Sequence, residues 1–207
     1  MKTKVLDRFS IRRRAEALAS ADTRTLKRAL YGKTQNALMV AVMLLIAWGL
    51  KRHYADARAE ELSWILTPTT HLVTVVRGTS FEWRVGEGYF AHERLFLVEK
   101  SCAGINFMIA AFGMLVLALF HRGDSAVSAL RIIGGSLLAS YLSAVVVNTV
   151  RIAIALRLAA DPAFLPSISA ADAHRLEGIA VYFGGLALLH ELVRRLDRRA
   201  LAPGRTS

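Results

Sequence analysis

Two stretches without a single charged residue, 103–120 and 132–150, constrain this chain more than any other feature. An α-helix rises about 1.5 Å per residue, so each run is close to the length needed to cross roughly 30 Å of hydrocarbon. Two further apolar runs, 32–50 and 176–193, bring the expected spans to four; the last is shorter, with Glu177 and Glu191 at its borders. With 54% hydrophobic residues in 207, the chain carries more apolar surface than a soluble domain of that size buries around one core. The expected fold class is therefore an all-α integral membrane helical bundle of four to five membrane segments, with a small extracytoplasmic β-hairpin.

The formal net charge is +11, which raises the question of nucleic acid. The basic residues, however, gather at the ends, as in Arg12, Arg13, Arg14 and Arg194, Arg195, Arg198, Arg199, without the interleaved aromatics of a nucleic-acid surface. Their placement belongs to membrane topology, so no nucleic-acid partner is expected. The first apolar run lacks a small-residue cleavage site after Leu50 and reads as a retained anchor.

The chain divides into three units. Residues 1–31 form a basic N-terminal segment in which apolar residues spaced between charges from Arg12 to Leu30 suggest a surface-lying amphipathic helix. A membrane domain spans 32–193, and 194–207 is a basic tail. Within the domain, 51–101 is expected outside the bilayer. Its apolar part, 62–76, is interrupted by Pro68 and His71 and is assigned to the interface. Residues 81–98 alternate apolar and polar around Gly86-Glu87-Gly88, the pattern of a hairpin that delivers the chain to Cys102. Small residues at Gly134, Gly135, Ser136, Gly184 and Gly185 permit close helix contact.

Lys and Arg favour the cytoplasmic side, which then receives both termini, loop 121–131 and most of the 27 basic residues. The opposite side receives 51–101 and 151–177. Cys102 then begins the second span, Arg151 ends the third, and His174 precedes the fourth, all on one face. That grouping needs only the alternation of the last three spans.

Cys102 is the only cysteine, so it forms no internal disulfide. Cysteine attacks as its thiolate, and a helix N-terminus favours negative charge. Arg151 supplies a permanent cation for a thiolate or an oxyanion, Asn148 shares its face one turn earlier, and an imidazole such as that of His174 can move a proton near neutrality. Together they suffice for cysteine peptidase chemistry. Singly, each has a plainer explanation: an apolar filler, a snorkelling arginine, an incidental loop histidine. His71 and His92 are alternative bases on the same side, and Glu99 either orients a histidine or simply ends a strand.

Three blocks sharpen this: Ser101-Cys102-Ala103-Gly104-Ile105-Asn106, Asn148-Thr149-Val150-Arg151-Ile152, and Asp172-Ala173-His174-Arg175-Leu176-Glu177-Gly178. In kind and order they resemble the signature blocks of the exosortase and archaeosortase family. The resemblance covers roughly 75–183. The N-terminal third departs from the family pattern, and typical members have more spans, so the chain resembles a short form of the exosortase K type. The resemblance implies a membrane cysteine transpeptidase of the bacterial inner membrane, with its site on the extracytoplasmic face. It would cut a C-terminal sorting signal (a short motif such as Pro-Glu-Pro, a hydrophobic helix and a basic tail) from exported proteins. Cys102 would be the nucleophile, Arg151 the oxyanion or thiolate partner and His174 the acid or base, with Asn148 and Gly178 in support; no cofactor is expected.

The principal rival is a non-enzymatic membrane anchor, for instance a heme or quinone subunit using His121 and His190 at the cytoplasmic ends. A transporter is disfavoured because no expected span interior carries a charge.

Overall fold

The computed structural model describes residues 32, 34–123, 125–160 and 170–201. The amphipathic helix expected between Arg12 and Leu30 and the last residues of the basic tail lie outside the described residues. Helix α1 covers Thr34–Asp56. It is followed by α2 (Ser63–Arg77), strands β1 (Glu82–Arg84), β2 (Gly88–Ala91) and β3 (Phe96–Val98), then α3 (Ile105–Leu119), α4 (Ala126–Ala160) and α5 (Ala170–Leu201). Among the described residues four segments are long and apolar enough to cross a membrane: Thr34–Asp56, Lys100–Arg122, Ala126–Leu158 and Arg175–Arg199. In number and order they are the four spans expected from hydropathy.

The helices outrun those spans. α4 has 35 residues and extends well past both ends of 132–150, so Arg151 lies inside the helix rather than at its end. α5 likewise starts at Ala170, which puts the backbone of His174 in a helix rather than in a loop, and it continues through Arg194, Arg195, Arg198 and Arg199 to Leu201. The physical reason is that charge ends an apolar stretch but not a helix: Ala, Leu and Arg are among the best helix formers.

Contacts fix the directions. At one end of the bundle Met39 of α1 packs with Phe112, Val116 and Ala129, and Arg122 pairs with Asp197 of α5. At the other end Lys51 Nζ of α1 donates to Asn106 Oδ1 at 2.8 Å, and Gly178 of α5 lies against Arg151 of α4. α1 and α4 therefore run one way, α3 and α5 the other. Of the small residues expected at helix contacts, Gly185 is in one: a Cβ there would sit 2.8 Å from Val147 Cγ2 and 3.2 Å from Phe107 Cε2. Ser136 is buried, whereas Gly134, Gly135 and Gly184 face open space.

Segment 62–76 becomes α2, 15 residues long and too short to cross about 30 Å. It lies along the C-terminal half of α4. Its buried threonines return their hydroxyls to the helix, Thr69 to Ile65 O at 2.8 Å and Thr70 to Leu66 O at 3.0 Å, which makes polar side chains tolerable in an apolar contact. Pro68 has no N–H to give Trp64 O, and the hydroxyl of Tyr141 on α4 donates to that carbonyl instead, at 2.9 Å. The Trp64 and Tyr141 rings stack, 5.7 Å between centroids.

The expected hairpin is a three-stranded antiparallel sheet in the order β1-β2-β3. Residues 89–98 do not form one strand, because the chain turns at His92–Arg94 and Leu95 adopts a left-handed conformation (φ 49°) before β3 returns beside β2. Polar and charged residues at three consecutive positions, 92–94, break the alternation that a strand with one buried face requires. Glu60 accepts from the Gly86 N–H, and Thr67 and Tyr89 share a hydrogen bond of 2.8 Å, so the sheet is tied to the start of α2. β3 then leads directly to Cys102.

Candidate functional site

Cys102 ends a 3₁₀ turn, Lys100–Cys102, whose geometry uses its own N–H: Cys102 N donates to Glu99 O at 2.9 Å. The thiol is buried (6% exposed) rather than displayed at a surface, and α3 starts three residues later instead of at the cysteine. Gly104 makes the corner between them with φ 70°, a left-handed conformation that glycine adopts without a side-chain penalty. A Cβ at that position would also approach Asn148 Cγ to 3.3 Å.

That asparagine is fully buried, and its Nδ2 donates to the carbonyl oxygen of Cys102. Its Oδ1 accepts from the Tyr182 hydroxyl at 3.0 Å, and the same phenol oxygen accepts from Nη1 of Arg151 at 3.1 Å. A relay of three side chains therefore joins the guanidinium to the backbone of the cysteine. The Tyr182 ring also lies under the guanidinium, 5.3 Å from Cζ to centroid, and packs against Phe107. A Cβ at Gly178 would sit 3.2 Å from Arg151 Nε, so the glycine is what lets the arginine lie against α5. Cys102 and Glu177 are each within electrostatic range of both Arg151 and Tyr182, and Glu177 is itself buried at 9% exposure.

No family model matches this chain, and neither a curated protein nor a solved structure matches it. The functional reading therefore rests on the geometry of the site and on the three residue blocks.

Four of the five sequence-derived site residues come together: Cys102, Asn148, Arg151 and Gly178. The fifth, His174, holds the register position in α5 one turn before Gly178, and its side chain lies outside the described residues. The alternative bases do not hydrogen-bond to Cys102. His71 is exposed on α2, and His92 Nε2 lies 2.6 Å from Glu82 Oε2. Glu99 does not orient a described histidine: its Oε1 accepts from Ser101 Oγ at 2.8 Å, and that hydroxyl lies 3.9 Å from Cys102 Sγ. At the far end His121 Nε2 is 3.8 Å from Asp197 Oδ2, and His190 is exposed on α5.

Three participants were not singled out by sequence. Tyr182 follows Gly178 by four residues, so helical periodicity alone places both on one face of α5. Glu177 stands in the third block and at a span border, but the sequence pattern assigns it no role. Tyr54 on α1 lies within electrostatic range of Cys102, Glu99 and Arg151, flanked by Lys51 and Lys100 with each ammonium 5–6 Å from its ring (5.6 and 5.2 Å). Lys100 Nζ is anchored on Ala55 O at 2.9 Å. Nothing in the local pattern around Tyr54 marks it, because its proximity arises from how α1 packs on the turn before α3.

Proposed function

We propose that this chain is a membrane cysteine peptidase or transpeptidase of the exosortase type, which recognises a C-terminal sorting signal on exported proteins and cleaves it through a thioacyl intermediate. The observation that carries the reading is the relay from Arg151 through Tyr182 and Asn148 to the carbonyl of Cys102. It holds a permanent cation in electrostatic range of a lone thiol, and its members Arg151 and Asn148 belong, with Cys102, to two of the three blocks that resemble the family's.

In this reading the Cys102 thiolate attacks the scissile carbonyl carbon, forming a C–S bond and a tetrahedral oxyanion. Arg151, oriented by Tyr182, stabilises the negative charge as it moves from sulfur to oxygen, which is the largest single contribution to many acyl transfers. The C–N bond then breaks, and the departing amine takes a proton. His174 is assigned to deliver that proton, having first removed it from the thiol. Water or an acceptor amine attacks the thioester and regenerates the thiol. Asn148 fixes the nucleophile's backbone, and Gly178 makes room for the guanidinium.

The same reading assigns the site to the extracytoplasmic face of a bacterial inner membrane. The arginine-rich end of α5, opposite the relay, supports it, since Lys and Arg are retained on the cytoplasmic side. A substrate tail comprising a hydrophobic helix and basic residues would insert beside the bundle and present its scissile bond near Cys102.

The test is co-expression with an exported protein carrying such a tail, followed by mass measurement of its C-terminus. The wild-type chain is expected to give a shortened product and Cys102→Ala the full-length protein. Unchanged processing by Cys102→Ala ends the proposal.

A further inference from the structure

On the side of α4 turned away from the relay, the C-terminal ends of α2 and α4 enclose a cavity of about 690 Å³. Two guanidinium-bearing residues line it, Arg77 from α2 and Arg157 from α4, with walls built from Val76, Val150, Ala153 and Ile154. Among the described residues no carboxylate lines the cavity. Elsewhere Arg52, Arg84, Arg122 and Arg195 each pair with an Asp or Glu, whereas among the described residues neither Arg77 nor Arg157 has an acidic partner.

A second observation names the occupant. Leu138, Leu142, Val146, Val150 and Ile154 are all exposed large hydrophobics, spaced four residues apart along α4. That spacing forms one ridge on the helix surface, and over 16 residues it is about 24 Å long at 1.5 Å per residue, close to an extended acyl chain. The ridge ends in the cavity, since Val150 and Ile154 belong to both. Two cations without a neighbouring carboxylate, at the head of an exposed apolar track, match an anion attached to hydrocarbon.

We propose that this cavity is a binding site for an anionic phospholipid, its phosphate held between Arg77 and Arg157 and an acyl chain lying along the ridge. Arginine suits the role because its planar fork takes phosphate oxygens in pairs. The inference is independent of the peptidase reading, because none of these residues belongs to the relay.

The experiment uses the full chain purified in neutral detergent and exposed to equal amounts of phosphatidylglycerol and phosphatidylcholine, with bound lipid counted by native mass spectrometry. The wild-type chain is expected to retain phosphatidylglycerol over phosphatidylcholine by about tenfold or more, as two cations near a lipid headgroup allow. Arg77→Gln with Arg157→Gln should bring the two lipids to parity, and Arg77→Lys with Arg157→Lys should keep part of the preference. Arg157 is exposed, so Arg157→Gln alone tests the site even where the double variant does not fold, with an expected partial loss. Glycerol phosphate should fail to displace the lipid at equal concentration. Equal retention of both lipids by the wild-type chain, an unchanged preference in the glutamine variants, or displacement by glycerol phosphate would each overturn the proposal.

Discussion

The hydroxyl of Tyr182 accepts a hydrogen bond from Nη1 of Arg151 at 3.1 Å while the guanidinium lies over the same ring, so one side chain sets both the position and the plane of the cation. The phenol also donates to Asn148, so both of its hydrogen bonds are directed at residues of α4. Tyr182→Phe keeps the ring and removes the link. Hydrogen bonds to charged groups contribute about 1.5–3 kcal/mol, so cleavage of a sorting-signal substrate should fall by roughly tenfold to a hundredfold. Stability in detergent should fall as well, by about 1–3 kcal/mol, because the buried Asn148 Oδ1 loses its donor. Equal processing by Tyr182→Phe and wild type, measured as the rate of product C-terminus formation, would remove Tyr182 from the site.

Arg151→Lys tests geometry against charge. The charge survives, but an ammonium cannot both reach the phenol and face the thiol as a fork does. Processing is expected to be nearly as low as with Cys102→Ala, read by the same mass measurement.

Gly178→Ala would place a methyl group 3.2 Å from Arg151 Nε, tighter than ordinary contact, so the guanidinium must shift by a few tenths of an ångström. Activity should drop with little loss of stability, because an alanine in the interior of α5 is itself a better helix former than glycine. A melting temperature that falls in step with activity would show a packing role instead.

At Gly185 the expectation reverses. Its Cβ would meet Val147 Cγ2 at 2.8 Å and Phe107 Cε2 at 3.2 Å, so Gly185→Ala should destabilise the bundle by about 1–3 kcal/mol. Val147→Ala removes the nearer clash, and the double variant should recover part of the loss, a coupling that unfolding in denaturing detergent can measure.

The sheet's attachment has its own pH dependence. Glu60 lies outside the spanning segments, and hydrogen bonds from its own backbone N–H and from that of Gly86 hold its carboxyl below the usual value of 4.5. A carboxyl depressed in the folded state contributes stability that is complete above its unfolded value and lost as pH falls through the folded one. Protection of the Gly86 amide against hydrogen exchange, taken relative to its intrinsic rate at each pH, should therefore weaken as pH falls below the unfolded value of 4.5, and Glu60→Gln should flatten that dependence.

The four helices long and apolar enough to cross a membrane, and their order, were legible in the chain because hydropathy is local: each segment's affinity for hydrocarbon depends on its own side chains. Helix ends were not, since Arg151 and Arg194 end an apolar run without ending a helix. Nor was the break at 92–95 that turns a hairpin into three strands. The sequence alone determined that Cys102, Arg151 and His174 belong to segments meeting at one end of a bundle. Only the tertiary structure decided that Tyr182 joins Arg151 to Asn148 and that Tyr54 lies near the thiol. Those contacts depend on how far each helix is rotated about its axis and how closely it approaches its neighbour. Close packing at Gly104, Gly178 and Gly185 sets both, and no single segment encodes them.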